Sequence, residues 1–263
     1  MILKEKNGVL FFQFPGLAGF SGIWHGIFTK NGGCSQDFYK SLNVSFGVGD
    51  NKNHVKQNRN IVSKCIEENE LVFADQVHGN NVLILSKNNR HHVDQAFGEP
   101  GMGDAIVTDI RKKFLVIQVA DCQSVLMYDP SRHVVANVHC GWRGSIKNII
   151  GKTIKIMTDK FGCAASNIVA GISPSLGPCC AEFINYKKEI PKKLWKYKDR
   201  SNNFNFWALS IDQLCNAGLL IKNICLSQIC TKCNENLFFS FRKQKTTGRI
   251  ATVIGLMYDS GKS

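Results

Sequence analysis

Cys122 and His139 stand at the ends of two neighbouring candidate strands, and both have reactive side chains. The alternating apolar runs 124–129 and 133–140 flank the segment "DPSR", whose aspartate and proline favour a type I turn. If residues 129–132 form a four-residue hairpin loop, Cys122 lies directly opposite His139, with Cβ atoms roughly 4.5–5.5 Å apart. The pattern therefore predicts a thiol beside an imidazole.

The same register predicts which side chains share a face of the hairpin. It pairs Ser124 with Asn137 on the polar face of Cys122 and His139, whereas Val125 and Val138 belong to an apolar face. Cys140 should point away from His139, so we expect it to pack in the core.

A thiol–imidazole pair has two chemical uses. It can bind a metal ion, with Zn–S and Zn–N bonds of about 2.3 and 2.0–2.1 Å, or the imidazole can activate the thiol as a nucleophile. The two residues alone leave a third interpretation equally open, an unreactive buried cysteine and a histidine bonded to backbone. His78, in the polar loop "ADQVHGNNV" (74–82), is a third candidate, although a lone loop histidine is more often a surface residue.

The elements around these residues indicate an α+β fold, an α/β sandwich of mixed β-sheets with helices packed outside. Helices are predicted from an N-cap at Ser145 to Gly162, over 207–217 and over 55–68. An exposed excursion is expected at 187–205. Short apolar runs predict strands at 81–86, 104–109, 114–121, 124–129, 133–140, 167–173, 223–230, 237–242 and 249–257.

The chain resembles the YfiH-like family, also named laccase-domain or multicopper polyphenol oxidase proteins, whose members are regarded as zinc-dependent purine nucleoside phosphorylases. The resemblance runs nearly end to end and rests on the number and order of its motifs: "HGIFTKNGG" (25–33), "SLNVSFGVGD" (41–50), "QNRN" (57–60), "DQVHG" (75–79), "GDAIVTD" (103–109), "VADCQSVLMYDP" (119–130), "VHCGWRGSI" (138–146), "GISPSLGPCCAEF" (171–183), "ICTKCNENLFFSFRK" (229–243) and "TGRIATVIGL" (247–256).

The resemblance implies a Zn²⁺ ion held by His78, Cys122 and His139. Three protein ligands leave a fourth position open, which is the catalytic pattern for zinc. It also implies phosphorolysis of adenosine, inosine, guanosine or S-methyl-5'-thioadenosine, and adenosine deamination as a further activity. The family's usual arginine before "GG" is Lys30 here, and its usual alanine after the metal histidine is Cys140.

Substrate residues follow from the needs of phosphorolysis. Phosphate must be held against the anomeric carbon, so Arg143, in a Gly-flanked corner, is the first phosphate candidate and Arg59 the next. Lys30, Arg242 and Arg249 are weaker candidates. Side chains expected to contact sugar or base are Asn43 and Gln76, and Asp121 is an acid/base candidate for deamination.

Other functions stay open at this point. A cysteine hydrolase or deamidase would use Cys122 as nucleophile and His139 as base, and a non-enzymatic binding module is a further alternative. A copper-dependent polyphenol oxidase is disfavoured, because the chain has 7 histidines and no His-X-His pair. The pairs Cys179–Cys180 and Cys230–Cys233 are interpreted as reduced thiols, since adjacent cysteines have poor spacing for a metal.

Composition limits the remaining classes. A net charge of +13 comes from lysines spread along the 263 residues, which indicates a soluble surface and a small anionic substrate, and argues against nucleic acid. No apolar run reaches the ~20 residues of a membrane span. Eleven scattered cysteines favour a reducing cytoplasm. We expect one domain over 1–263, as a monomer or a homodimer.

Overall fold

Two mixed β-sheets pack face to face in the computed structural model, which describes residues 1–66, 70–86 and 101–257. Within these ranges, one sheet has the strand order β1-β2-β3-β12-β7-β4 and the other β11-β10-β8-β9-β6-β5. The first contains β1 (Ile2–Lys6), β2 (Val9–Gln13), β3 (Ile23–Phe28), β4 (Leu71–Phe73), β7 (Phe114–Val119) and β12 (Ile250–Leu256). The second contains β5 (Val82–Leu85), β6 (Ala105–Thr108), β8 (Gln123–Asp129), β9 (Val134–Cys140), β10 (Val169–Ile172) and β11 (Ile224–Leu226).

Helices pack around the two sheets and complete the predicted α+β sandwich. They are α1 (Pro15–Ala18), α2 (Lys52–Ile66), α3 (Trp142–Ile146), α4 (Ile149–Phe161), α5 (Tyr186–Glu189) and α6 (Phe206–Asn216), besides short 3-10 turns. None of the helices in the described ranges has the length and apolar composition of a membrane span.

Three apolar cores follow from this layering. Ile117 and Ile254 of the first sheet meet Leu126 and Val135 of the second in the central core. The outer face of the second sheet packs against α4 and α6, and that of the first packs against α2. Because strands of the two sheets share the central core, this packing supports the prediction of one domain over 1–263, which stays a prediction.

The hairpin β8–β9 has a different register from the predicted one. Asp129 pairs with Val134, so the loop is 130–133, and Ser124 rather than Cys122 lies opposite His139. The Asp129 carboxylate accepts from two loop N–H groups, and His133 takes a left-handed conformation with φ of 53°, which moves the loop by one residue. Because moving the loop by one residue shifts the pairing of the two strands by two, every side chain stays on the face predicted for it.

Both faces of the hairpin are buried, contrary to the expected polar face. Asn137 lies fully buried between the sheets, where its side chain donates to the carbonyl groups of Leu115 and Thr252. Ser124 donates to the Asn137 side-chain oxygen at 2.6 Å. The polar side chains of this face therefore tie the sheets together and leave the site to the end of the hairpin.

The predicted helix from Ser145 to Gly162 is interrupted. Ser145 lies inside α3, and Asn148 is the N-cap of α4, with φ of 52° and a side chain that accepts from the Gly151 N–H. Gly162 ends α4 in the left-handed region, as predicted. α6 matches the predicted helix over 207–217 to within one residue.

Three other predicted segments differ from the structure or lie partly outside the described residues. The predicted strand 237–242 forms turns, since Phe238 and Phe239 enter the central core without a partner strand. The excursion at 187–205 is only partly exposed, because Ile190 and Phe204 form a small apolar cluster with α6. The last residues of the predicted helix over 55–68 lie outside the described ranges.

Candidate metal centre

His78, Cys122 and His139 come together at one end of the sandwich, where their ligand atoms all lie within 4.8 Å of one another. The rings of His78 and His139 meet edge to face with centroids 4.7 Å apart, and the Cys122 sulfur lies 3.9 Å from His78 Nε2. His139 is buried, Cys122 is half-buried and His78 is exposed. The predicted residues therefore form a candidate metal site that opens to solvent.

Backbone conformation delivers two of these side chains. Asp121 and His78 take left-handed conformations, with φ of 81° and 57°. The bend at Asp121 brings Cys122 in just before β8, on the diagonal from His139, which is still within reach of a shared ion. The predicted direct opposition of Cys122 and His139 is therefore wrong, but the bent strand end still brings the two side chains close together.

Asp104 is the buried residue that organises the site, and the sequence interpretation assigned it no role. Its carboxylate lies 2.8 Å from His139 Nδ1 and accepts from the N–H groups of His78 and Gly79 at 2.9 and 2.7 Å. Holding Nδ1 directs His139 Nε2 towards the cluster, as an outer partner does for metal-binding histidines. The available signal was an acidic residue directly before an apolar strand.

The pKa values of these groups describe a charged network. Burial alone would raise the pKa of Asp104, but the hydrogen bonds from His139 and the loop N–H groups outweigh it and lower that pKa. Burial alone would also raise the pKa of Cys122, yet His139 and His78 lower it to about 6. Against burial, Cys122 and Asp104 raise the pKa of His139 to about 9. Cys122 and His139 therefore each favour the charged form of the other.

Gly141 makes room for this cluster at the start of α3. A Cβ at this position would lie 2.9 Å from the Cys122 sulfur and 3.2 Å from His78 Cδ2. Cys140, on the opposite face, packs in the outer core, where burial raises its pKa to about 12. The expectation that Cys140 packs in the core is confirmed.

Two clefts meet at the cluster. The larger, of about 870 Å³, is lined by Arg59, Arg249, Gln76 and the aromatic rings of Phe46 and Phe241, besides all three cluster residues. The smaller, of about 280 Å³, is lined by Arg143, Arg242, Lys245, Trp142 and Phe241, and it reaches His78 and Cys122. We call them the large cleft and the small cleft.

The arginines are held in different ways. Arg59 is buried and stacks between the rings of Phe46 and Phe73, and its Nε donates to the Val44 carbonyl. Arg143 is exposed and lies 4.3 Å over the Trp142 ring. Arg143 can therefore move towards an anion, whereas Arg59 is part of a rigid wall.

The remaining predicted residues divide between the clefts and the scaffold. Gln76 lines the large cleft, and its amide exchanges two hydrogen bonds with the backbone of Gln118. Asn43 is fully buried and accepts from the Arg249 N–H, so it positions the cleft wall. Lys30 lines a separate cavity of about 610 Å³, apart from the cluster.

Asp121 is already engaged by the scaffold. Its carboxylate accepts from the Thr231 hydroxyl at 2.6 Å and from the Arg242 N–H at 2.5 Å. Both oxygens thus fasten the segment 229–243 to the strand end that carries Cys122. This geometry gives no support to Asp121 as an acid or base.

A two-sheet sandwich with two imidazoles and a thiolate at its open end defines a class of candidate metal-binding proteins. The chain belongs to the family whose model is described as multi-copper polyphenol oxidoreductase laccase, which matches residues 24–257.

Proteins with a more specific name are similar over most of their length. Purine nucleoside phosphorylase YlmD of Geobacillus stearothermophilus is 32% identical over 254 residues, covering 90% of this chain and 91% of that protein. Purine nucleoside phosphorylase YfiH of Escherichia coli is 30% identical over 246 residues, covering 87% and 92%. The crystal structure of the Geobacillus YlmD superposes with a TM-score of 0.85 and 29% identity, over 97% of this chain and 98% of that one.

Proposed function

We propose that the protein is a zinc-dependent purine nucleoside phosphorylase, which converts a purine nucleoside and phosphate to the free base and a pentose 1-phosphate. The observation that carries the proposal is the cluster of His78, Cys122 and His139 at the junction of two clefts lined with cations. The names of the relatives from Geobacillus and Escherichia point to the same reaction.

The donor set fits zinc. Two imidazole nitrogens and a thiolate are ligands that zinc prefers, and the Asp104 carboxylate supplies the outer hydrogen bond. Zinc held by His78, Cys122 and His139, with its fourth position open, would supply a Lewis acid beside the bound substrate. The 7 histidines of the chain include no His-X-His pair, so the copper chemistry in the family's description finds no support in the ligands.

The residues of the clefts would do the remaining work. Phe46 and Phe241 offer aromatic faces to a purine in the large cleft, and Gln76, held by the Gln118 backbone, forms part of its wall. Arg143 would hold phosphate in the small cleft, with Arg59 as a second cation across the junction. A phosphate oxygen bonds to the anomeric carbon as the bond to the purine nitrogen breaks, and the purine leaves with that electron pair and gains a proton.

Adenosine deamination is less well supported by the geometry than phosphorolysis. It needs a carboxylate free to carry protons at the purine, whereas Asp121 and Asp104 are each held by hydrogen bonds. A cytoplasmic location, the preferred nucleoside, and a monomeric or homodimeric state stay predictions.

One experiment tests the proposal: product chromatography on metal-quantified protein with a panel of nucleosides, with and without phosphate. We expect free base and pentose 1-phosphate only when phosphate is present. Inosine formed from adenosine would establish deamination. Full activity in metal-free protein, lost on alkylation of Cys122, would establish the cysteine hydrolase instead. Absence of turnover in every condition would contradict an enzymatic role.

A further inference from the structure

Four other thiols converge where the segment 173–183 meets the segment 229–243. The sulfur atoms of Cys179, Cys180, Cys230 and Cys233 all lie within 4.8 Å of one another. We infer that they form a second metal site, in which one Zn²⁺ is held by four thiolates and has no open position. None of its ligands belongs to the His78–Cys122–His139 cluster, and the inference does not depend on the proposed function.

The distances between sulfur atoms suit a shared ion. The Cys233 sulfur lies 3.7 Å from that of Cys179 and 3.6 Å from that of Cys180. A tetrahedral ion with Zn–S bonds of about 2.3 Å places its sulfurs about 3.8 Å apart. A single ion therefore fits between these thiols with little movement, even though Cys179 and Cys180 are adjacent in the chain.

Backbone donors prepare one of the ligands. Cys230 is buried, and N–H groups of Gly177 and Cys233 donate to its sulfur. Burial alone would raise the pKa of Cys230, but these donors lower it. By contrast, burial and the neighbouring Cys233 raise the pKa of Cys180 to about 11. The backbone donors at Cys230 therefore add to the sulfur distances as a feature that suits a bound cation.

The backbone also fixes how the two segments meet. Ser175 forms a bridge with Cys230, donating to the Ile229 carbonyl and accepting from the Thr231 N–H at 3.1 and 3.0 Å. Gly177 lies so close that a Cβ would be 3.0 Å from Cys230 Cβ. The thiols therefore meet through a specific contact of two segments, which a chance surface pair of cysteines would lack.

Binding would be a simple exchange of protons for metal. Each coordinating thiol loses its proton to the buffer, no group changes oxidation state, and the filled site carries two net negative charges. The guanidinium of Arg242, which donates to the carbonyls of Cys180 and Glu182, lies beside that charge. Thr231, next to Cys230, bonds to Asp121, so the ion would brace the strand end that carries Cys122.

Metal counting tests the inference on the full chain, loaded with zinc under reducing conditions and freed of excess metal. Wild-type protein should hold two zinc ions per chain by elemental mass spectrometry, and His139→Ala should hold one. The double variant Cys230→Ser/Cys233→Ser should also hold one. The control Cys215→Ser/Cys225→Ser, which changes two half-buried cysteines outside the cluster, should retain two.

X-ray absorption on zinc-loaded His139→Ala protein gives a direct answer even if the cysteine variants fail to fold. We expect a shell of sulfur alone at about 2.3 Å. A His139→Ala protein without zinc, or with nitrogen or oxygen in that shell, would overturn the second site. Disulfides among the four cysteines despite zinc and reductant would do the same. Wild-type protein that holds two zinc ions but does not cleave nucleosides would instead count against the proposed function alone.

Discussion

The two ligand clusters of this protein are built on opposite plans. His78, Cys122 and His139 mix two imidazoles with one thiol, face two basic clefts and depend on a buried carboxylate. The four cysteines offer thiols alone, depend on backbone N–H groups and lie beside a turn. Three mixed ligands leave room for substrate, whereas four thiolates saturate the ion. The difference separates a site that can react from one that can only hold chain segments together.

Replacing His139 should have the largest effect. His139→Ala removes a buried candidate ligand and the imidazole partner of Asp104, so nucleoside cleavage should fall roughly a thousand-fold or more. Steady-state kinetics measure this, with His54→Gln, at a half-buried position of α2, as a control. Retention of more than a tenth of the activity would show that the open cluster is not the reactive one.

Asp104→Asn should weaken zinc binding only at the His78–Cys122–His139 cluster, which we call the open site. It keeps the side-chain shape but removes the charge that orients His139, so zinc affinity of the open site should fall about 10–100-fold. Competition with a chromophoric chelator measures both affinities, and the four-cysteine site should not change. Asp75→Asn, an exposed carboxylate that lines the large cleft, is the matched control for metal affinity. Equal weakening of both sites would mean that Asp104 acts through global stability.

Arg143→Gln should weaken the binding of phosphate and leave the binding of the nucleoside unchanged. Loss of one charge-assisted hydrogen bond at an exposed side chain should raise KM for phosphate about tenfold. The KM for the nucleoside and the metal content should stay unchanged, and Arg200→Gln serves as an exposed control. A rise in the KM for the nucleoside instead would indicate that the small cleft binds the nucleoside and the large cleft binds phosphate.

His25 lies outside both clusters, and its pKa shifts in the opposite direction to that of His139. It is buried like His139, but burial without an anionic partner lowers its pKa from 6.5 to about 4, and its Nε2 accepts from the Phe14 N–H. The unfolded chain takes up this proton near pH 6.5, so the free energy of unfolding should fall by roughly 3 kcal/mol as pH drops from 6.5 to 4.

Urea unfolding at several pH values measures that dependence. The pH slope of His25→Gln should be shallower than that of the wild type below pH 6.5, because glutamine carries no titrating proton. Parallel curves for the two proteins would show that His25 is not protonated on unfolding in this range.

The face shared by Cys122 and His139 was predictable from alternation, but their register was not. Alternation depends only on the strand period, whereas register depends on which residues the loop takes. Here the Asp129 carboxylate and the left-handed His133 decide the loop. The resemblance to a family supplied His78, which no local pattern distinguishes from a surface histidine.

Asp104 was missed, and the four cysteines were interpreted as reduced thiols, for a related reason. Spacing along the chain describes ligands that share one segment, and the adjacent Cys179 and Cys180 fail that test. Their partners arrive from another segment through the bridge between Ser175 and Cys230. Likewise, Asp104 meets His139 only because β6 pairs with β9. Long-range pairing of strands is the information that a local pattern lacks.

β12 is the last of the described strands in chain order, yet it lies inside its sheet, between β3 and β7. Until residues 250–256 leave the ribosome, both neighbours keep unpaired edges open to other chains. Nascent chains therefore need shielding from one another until β12 has been made. A premature stop codon shortly before Ile250 would leave β3 and β7 without their shared neighbour and give an aggregation-prone product.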